Sequence, residues 1–567
     1  MLVVFEGIDG SGKTTLSNLV AGALRARGLP VRHIRADGKY ASTVSEAIRD
    51  LGRDARNLDL VPQAELLLYV ARDVQLLEQV VRPALRQGDI VIADRFLYTA
   101  EVLGRSGRHL PAAYTAPILA AAAGDIVPDL VVLCDVDPAL ARARRKAAKL
   151  VAADRRPPAR KGLAGVGLQH RLRRGYLDLA NAGRERWAVV DNDGRLEDTV
   201  ALVTALVDGA QRDGVPRALE RFRADVEGRR AQRRALTPET PADALAVFLE
   251  RVDAYAEHEP RVAAHLLGGL AGPAIDERRR ALAARVPEAV LAGLTGQDDP
   301  VSWALRRALQ PEHTRAVAAT LLGLPSGNLP AEALRLALED VAPTEVAMSL
   351  QSVDGAEATA MRARLFERAP DAVMASLARL ASADAWSLRA RWLARRHATL
   401  ADNYPAALAA ALSVTGLEDD RAWTIRDQVQ PAAPVAALAS LEGVVTPAAW
   451  RWRDTYLARA PKVVMATLAG VRHQNAWPMR NAVAADCKEA LDSITGLDDP
   501  EAWTLRETHA DDWPSTTVKS LGALSQAGRG AALIARQLRS HSNSLSLLKH
   551  TAAVALQAHR PAPGLAD

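Results

Sequence analysis

Near the start of the chain lies Gly7-Ile8-Asp9-Gly10-Ser11-Gly12-Lys13-Thr14-Thr15, which fits the pattern G-x-x-x-x-G-K-[ST]. Residue types at this spacing do one kind of chemistry. Gly7, Gly10 and Gly12 let the backbone turn tightly and aim its N–H groups, those of Asp9, Ser11 and Thr15 included, at phosphate oxygens. Lys13 reaches the β and γ phosphates, and the Thr14 hydroxyl can ligate Mg²⁺. The apolar run Leu2-Val3-Val4-Phe5 before the loop reads as a buried parallel strand. A helix from Lys13 to about Arg27 follows and adds its positive N-terminal end. Strand, glycine loop and helix in this order imply a nucleoside triphosphate site.

Further elements must position the rest of such a site. Val31–Ile34 reads as a second strand ending at Arg35, and helices are expected over Thr43–Leu51 and Val61–Gln87. The strand Asp89–Ala93 runs into Asp94-Arg95, and Leu130–Leu133 runs into Cys134-Asp135. Trp187–Asp191 is the last strand and Leu196–Val207 the helix after it. Strands alternating with helices predict an α/β fold with a parallel sheet covered on both faces. Ligands in such sheets gather at the carboxyl ends of the strands, where the loop, Arg35, Asp94-Arg95 and Asp135 all fall.

Residues 1–208 resemble thymidylate kinase, the P-loop enzyme that phosphorylates dTMP with ATP. The resemblance rests on Phe5–Thr15, Tyr69-Val70-Ala71-Arg72 with Pro83-Ala84-Leu85, Asp94-Arg95, Pro128-Asp129-Leu130 leading to Asp135-Val136-Asp137-Pro138, and Gly175-Tyr176-Leu177. It implies ATP and Mg²⁺, with Lys13 on the ATP phosphates and Thr14 and Asp94 at the metal. Asp9 resembles the carboxylate that contacts the acceptor sugar. Arg95 and Arg35 resemble acceptor-phosphate arginines, and Arg72 the arginine that hydrogen-bonds the pyrimidine. Leu68 stands where the family stacks an aromatic on the base, with Tyr69 beside it. Leu103 and Gly104 align with an aromatic and a polar group that contact the nucleoside. The basic segment from Arg142 to Arg174 reads as a lid that supplies a charge-stabilising arginine, Arg155 being the candidate. A homodimer is implied by the resemblance alone.

The chain has 567 residues, too many for one core. A net charge of +5 suits anionic ligands without arguing for nucleic acid. Its two cysteines, Cys134 and Cys487, build neither a disulfide framework nor a zinc site, which fits a reducing cytoplasm. No apolar run is long enough to expect a membrane span, and the first strand begins at Leu2 with no basic leader before it.

Beyond about Gln211 the composition changes. The segment 211–241 reads as a charged helix, Arg217–Leu236, and a linker, Thr237–Pro241. From 242 to 557 an arginine recurs about every 27 residues, at Arg279, Arg306, Arg335, Arg362, Arg389, Arg426, Arg453, Arg480 and Arg506. In several units a Trp stands three residues earlier, as at Trp303, Trp386, Trp423, Trp450, Trp477 and Trp503. Each unit fits two short helices that bury nothing alone, so the array is expected to stack as an all-α solenoid resembling HEAT-type repeats. Same-phase Trp and Arg fit inter-unit packing better than a nucleic-acid platform. A concave solenoid face would suit a protein partner, and 558–567 reads as a flexible tail. The leading expectation is a P-loop kinase domain over 1–210 that phosphorylates dTMP, fused to a helical scaffold. Two alternatives remain: a kinase for another nucleotide acceptor, and an ATP-gated interaction protein whose solenoid holds a partner.

Overall fold

The structure is a computed structural model and describes residues 1–35, 42–54, 56–57, 59–151, 167–232, 238–396, 400, 402–526, 528–541 and 544–558. The chain divides into two compact units, one of Met1–Arg145 with Arg155–Leu236, the other of Lys146–Asp154 with Thr237–Asp567.

The first unit is built on five parallel strands, β1 (Leu2–Glu6), β2 (Val31–His33), β3 (Ile90–Asp94), β4 (Leu130–Asp135) and β5 (Trp187–Asp191), in the order β2-β3-β1-β4-β5. Parallel strands need long crossovers, and the helices supply them. They are α1 (Lys13–Ala26), α2 (Thr43–Arg53), α3 (Pro62–Leu76), α4 (Arg82–Arg86), α5 (Leu97–Val102), α6 (Ala112–Ala123), α7 (Pro138–Val151), α8 (Gly167–Ala182), α9 (Leu196–Asp213) and α10 (Val215–Gln232). β1, β3 and β4 are buried on both faces, which is why each reads as a continuous apolar run. Register pairs Phe5 with Asp94 and with Val132, so the ends of the three central strands come out together.

Two elements differ from expectation. The helix expected over 61–87 breaks into α3, a π-helical turn Leu77–Val81 and α4. Pro83 lacks the N–H that an unbroken helix needs there, and widening the preceding turn absorbs the gap. The charged segment 211–241, read as a helix and a linker, does form a helix, α10, but that helix is part of the first unit's core. Ala218, Leu219, Phe222 and Val226 of α10 form a stripe that enters the core shared by the sheet, α1 and α9. Its many charges face outward and mask that stripe in the sequence.

From Pro241 onward the regular elements of the second unit, among the described residues, are all helices, beginning with α11 (Pro241–His258) and α12 (Pro260–Leu267). Each repeat is a helix pair, such as Pro300–Leu309 followed by Thr314–Ala319. Asp299 caps the former, its side chain accepting from Ser302 N at 2.9 Å, with Pro300 in the first turn. The second helices stack on one another in sequence order. All nine repeating arginines are 2% exposed or less. Arg362 shows what they do. Its Nη2 donates to Leu350 O and Val353 O, both at 2.7 Å, beyond the end of one second helix, Pro343–Ser349. Its Nε donates to Ser376 Oγ at 3.0 Å, at the end of the next, Pro370–Ser376. The guanidinium therefore caps two successive C-terminal helix ends, where carbonyls lack intrahelical partners and the dipole is negative. Six of the tryptophans lie under these arginines, with 4.4–5.0 Å from guanidinium to ring. The Trp–Arg pattern is thus internal packing.

The repeat spacing does not announce that the stack closes. The last helix, Leu545–Ala558, packs on Pro514–Leu521 and on α11, the first helix of the unit. Lys549 Nζ donates to Gly268 O at 2.9 Å across 281 residues of sequence. Residues 559–567, read as a tail, lie outside the described residues. Among the described residues no helix is long and apolar enough to cross a membrane.

Candidate active site

The loop after β1 turns on glycines with positive φ. Gly10 (φ 91°) packs so closely on the start of α7 that a Cβ would stand 2.2 Å from Ala141 O. Lys13, 5% exposed, donates from Nζ to Ile8 O at 3.0 Å, inside the curve of the loop. Asn192, just past β5, donates from Nδ2 to Ser11 O at 2.7 Å and braces the loop from the opposite side. Thr15 is exposed on α1 and does not line the cleft.

Asp94, at the end of β3, is fully buried and joins the two halves of the site. Its Oδ2 accepts from Thr14 Oγ1 at 2.6 Å and from Arg35 Nη1 at 3.0 Å. Burial works to raise its carboxyl, but Lys13, Arg35 and Arg95 outweigh that and hold it below the usual carboxylate range. Its Oδ1 is buried with no hydrogen-bond partner among the described residues. An ionised carboxylate oxygen without a donor, beside a threonine hydroxyl, is the hard oxygen set that suits Mg²⁺ with its retained waters. The residues present fit the metal.

Arg95 follows with φ 82°, a strained value for a side chain of this size. The turn directs its guanidinium back under the loop. Nη2 pairs with Asp9 Oδ1, and Nη1 donates to Thr99 Oγ1 at 3.0 Å and to Gly7 O and Tyr176 OH, each at 3.3 Å. Beneath lies Glu6, wholly buried, accepting from Phe96 N at 2.9 Å and Thr99 Oγ1 at 2.8 Å. Burial raises the Glu6 carboxyl, against the pull of Arg95.

A cleft of about 230 Å³ opens over these groups. Asp9, Gly10, Lys13, Thr14, Arg35, Leu68, Tyr69, Arg72 and Arg95 line it, so most of the residues singled out from sequence meet here. Arg72 is buried, pairs with Asp73 at 2.6 Å and lies 4.8 Å from the Tyr69 ring. Leu103 and Gly104 do not line the cleft. Both are buried, and a Cβ on Gly104 would touch Leu66, Thr115 and Leu110. α5 begins at Leu97, two residues after Arg95, so its first turn brings Thr99 to the cleft instead. Arg155 lies outside the described residues. Of the basic segment before it, Arg144 donates to Asn192 O at 2.7 Å. Sequence reasoning missed Ile48, Arg49, Gly52 and Arg53, which form the α2 wall. Their signal was the four-residue spacing of Arg49 and Arg53, which puts both on one helix face.

The thymidylate kinase family pattern matches residues 5–203. A thymidylate kinase of Pelobacter propionicus is 36% identical over 207 residues, 36% of this chain and 92% of the relative. Thymidylate kinases of Bifidobacterium longum subsp. infantis (34% over 218 residues, 38% of this chain and 89% of the relative) and Geobacter sulfurreducens (36% over 201 residues, 35% and 93%) match likewise. Nearly the whole of each relative is thus covered by the first unit of this chain, which belongs to the thymidylate kinase family of nucleoside monophosphate kinases.

Proposed function

We propose that the chain transfers the γ-phosphoryl group of ATP to the phosphate of dTMP, giving dTDP and ADP. One observation carries this reading: a single buried carboxylate, Asp94, binds the donor side through Thr14 and the acceptor side through Arg35. Phosphoryl transfer is mostly positioning and neutralisation of charge on oxygens. Lys13 holds the β and γ phosphates against the loop N–H groups. Arg35 and Arg95 hold the acceptor phosphate, and Asp9 orients the sugar. Arg72 and Leu68 face the base. Arg155 of the lid supplies positive charge to the transferring group. When bound at Thr14 and Asp94, Mg²⁺ neutralises charge on the phosphate oxygens. A second reading changes only the acceptor, and Leu68 in the base-facing wall favours it, since a leucine offers no ring to stack on thymine.

The test is ADP release by the full-length chain with ATP-Mg²⁺ and each of dTMP, dUMP, UMP, CMP, AMP and GMP, with Lys13→Ala as control. Turnover that depends on dTMP and is lost in the control is expected. Turnover with a different monophosphate establishes the second reading. ATP binding without monophosphate-dependent turnover overturns both.

A further inference from the structure

Five arginines line the cleft: Arg35, Arg49, Arg53, Arg72 and Arg95. Four are already paired within the protein. Arg35 pairs with Asp94 at 3.0 Å, Arg49 with Glu46 at 2.8 Å, Arg72 with Asp73 at 2.6 Å, and Arg95 with Asp9. Arg53 alone of the five makes no hydrogen bond or ion pair among the described residues. It stands one turn beyond Arg49 on the same face of α2, in the last residue of that helix. Arg53 is an exposed residue of the cleft lining, so its guanidinium is open to an incoming ligand.

A guanidinium in a cleft shared with Lys13 and four other arginines, with no carboxylate in ion-pair contact among the described residues, is stabilised when an anion docks beside it. We propose that Arg53 is a further acceptor-binding residue, donating to the phosphate of the nucleoside monophosphate. This rests on the reading above, which supplies that anion. Arg53 lines the same cleft as Lys13, Arg35 and Arg95, the groups that hold phosphate in that reading. Arginine's planar fork matches phosphate oxygens. The paired arginines must exchange a protein carboxylate for substrate, whereas Arg53 gives up no partner.

The experiment compares the full-length chain with Arg53→Gln, Arg53→Lys and Arg56→Gln. Arg56 pairs with Asp54 outside the cleft lining and removes the same unit charge. Calorimetry measures binding of dTMP and of uncharged thymidine, and steady-state assays give KM for dTMP and for ATP. Arg53→Gln is expected to weaken dTMP binding and raise its KM by about tenfold to a hundredfold, with thymidine binding and the KM for ATP unchanged. Arg53→Lys should recover part of the loss, and Arg56→Gln should behave as wild type. Equal dTMP affinity in wild type and Arg53→Gln overturns the proposal. So does an equal loss for dTMP and thymidine, which would place Arg53 on the nucleoside, or an equal effect of Arg56→Gln, which would make it a bulk field. If the wild-type chain binds another monophosphate in place of dTMP, the thymidylate reading fails by itself. The same comparison then decides the role of Arg53 with that nucleotide and its nucleoside.

Discussion

Replacing Arg453 by methionine tests whether the buried arginines hold the repeats together. The side chain is 0% exposed. Its Nε donates to Thr467 Oγ1 at 2.8 Å, and its Nη2 to Leu441 O at 2.8 Å and to Thr467 O at 3.4 Å. The guanidinium lies 4.7 Å from the Trp450 ring. Burial pushes it down to about 10, so it remains a cation at neutral pH. Methionine keeps most of the stem and removes the charge. Two good charge-assisted contacts at about 1.5 kcal/mol each, with the long one and the ring contact adding about 1–2 kcal/mol, give a gross loss of about 4–5 kcal/mol. Both carbonyls keep a backbone bond, from Val444 N to Leu441 O and from Gly443 N to Thr467 O, each at 3.0 Å, so neither is orphaned. Relief from burying a cation returns about 1–2 kcal/mol. The net expected destabilisation is about 3 kcal/mol. Hydrogen exchange over residues 441–467, with urea unfolding of the full chain, measures it. Arg451→Met, two residues away and exposed, should stay within about 0.5 kcal/mol of wild type. Arg453→Lys should fall between, because an ammonium cannot bridge both helix ends. If Arg453→Met matches Arg451→Met, the arginines do not act as caps and the reasoning fails.

Asn192→Ala removes the brace on Ser11 O, and with it about 1 kcal/mol of stability. A looser phosphate loop should raise the KM for ATP several-fold while leaving that for dTMP near its starting value; a change confined to dTMP would contradict the role. His550 gives a pH prediction. Its Nδ1 lies 3.0 Å from Ser515 Oγ, and burial, followed by the positive charges of Lys519, Lys549 and Lys488 against the opposing charge of Asp492, pushes it down to about 3. The unfolded chain takes a proton there near the ordinary histidine value and the folded chain does not. Stability is therefore present above about pH 6.5 and is lost as the pH falls towards about 3. In His550→Gln the slope of stability against pH in that window should flatten. Parallel melting curves of the two proteins from pH 7 to pH 4 would refute this.

What could be read from the sequence follows from how far apart the partners lie. The phosphate loop is legible because its chemistry sits in nine consecutive residues, Gly7–Thr15, bounded by a strand and a helix. Arg35 and Asp94 come next, since strand ends converge in any parallel sheet. Arg53 was not legible: the helix expected over Thr43–Leu51 stops short of it, whereas α2 runs to Arg53, and four-residue spacing marks a face without saying what it faces. The repeating arginines show the same limit differently. Their period identified stacking, because each meets neighbours within about one unit, as Arg362 does with Leu350 and Ser376. Closure of the stack joins Lys549 to Gly268. It depends on a small rotation per unit summed over the whole array, a quantity no single repeat encodes. The same logic separates the two units in kind. In the first, arginines gather at one cleft, four of them held on protein carboxylates that substrate oxygens can replace. In the second, they are spent one per junction on carbonyls that nothing replaces. Eight of the nine have no carboxylate within ion-pair distance among the described residues; Arg279, 3.5 Å from Asp276, is the ninth. A guanidinium bound to main-chain oxygens cannot be released by a nucleotide, so the repeat arginines fix a shape, whereas those of the cleft remain exchangeable and can do chemistry.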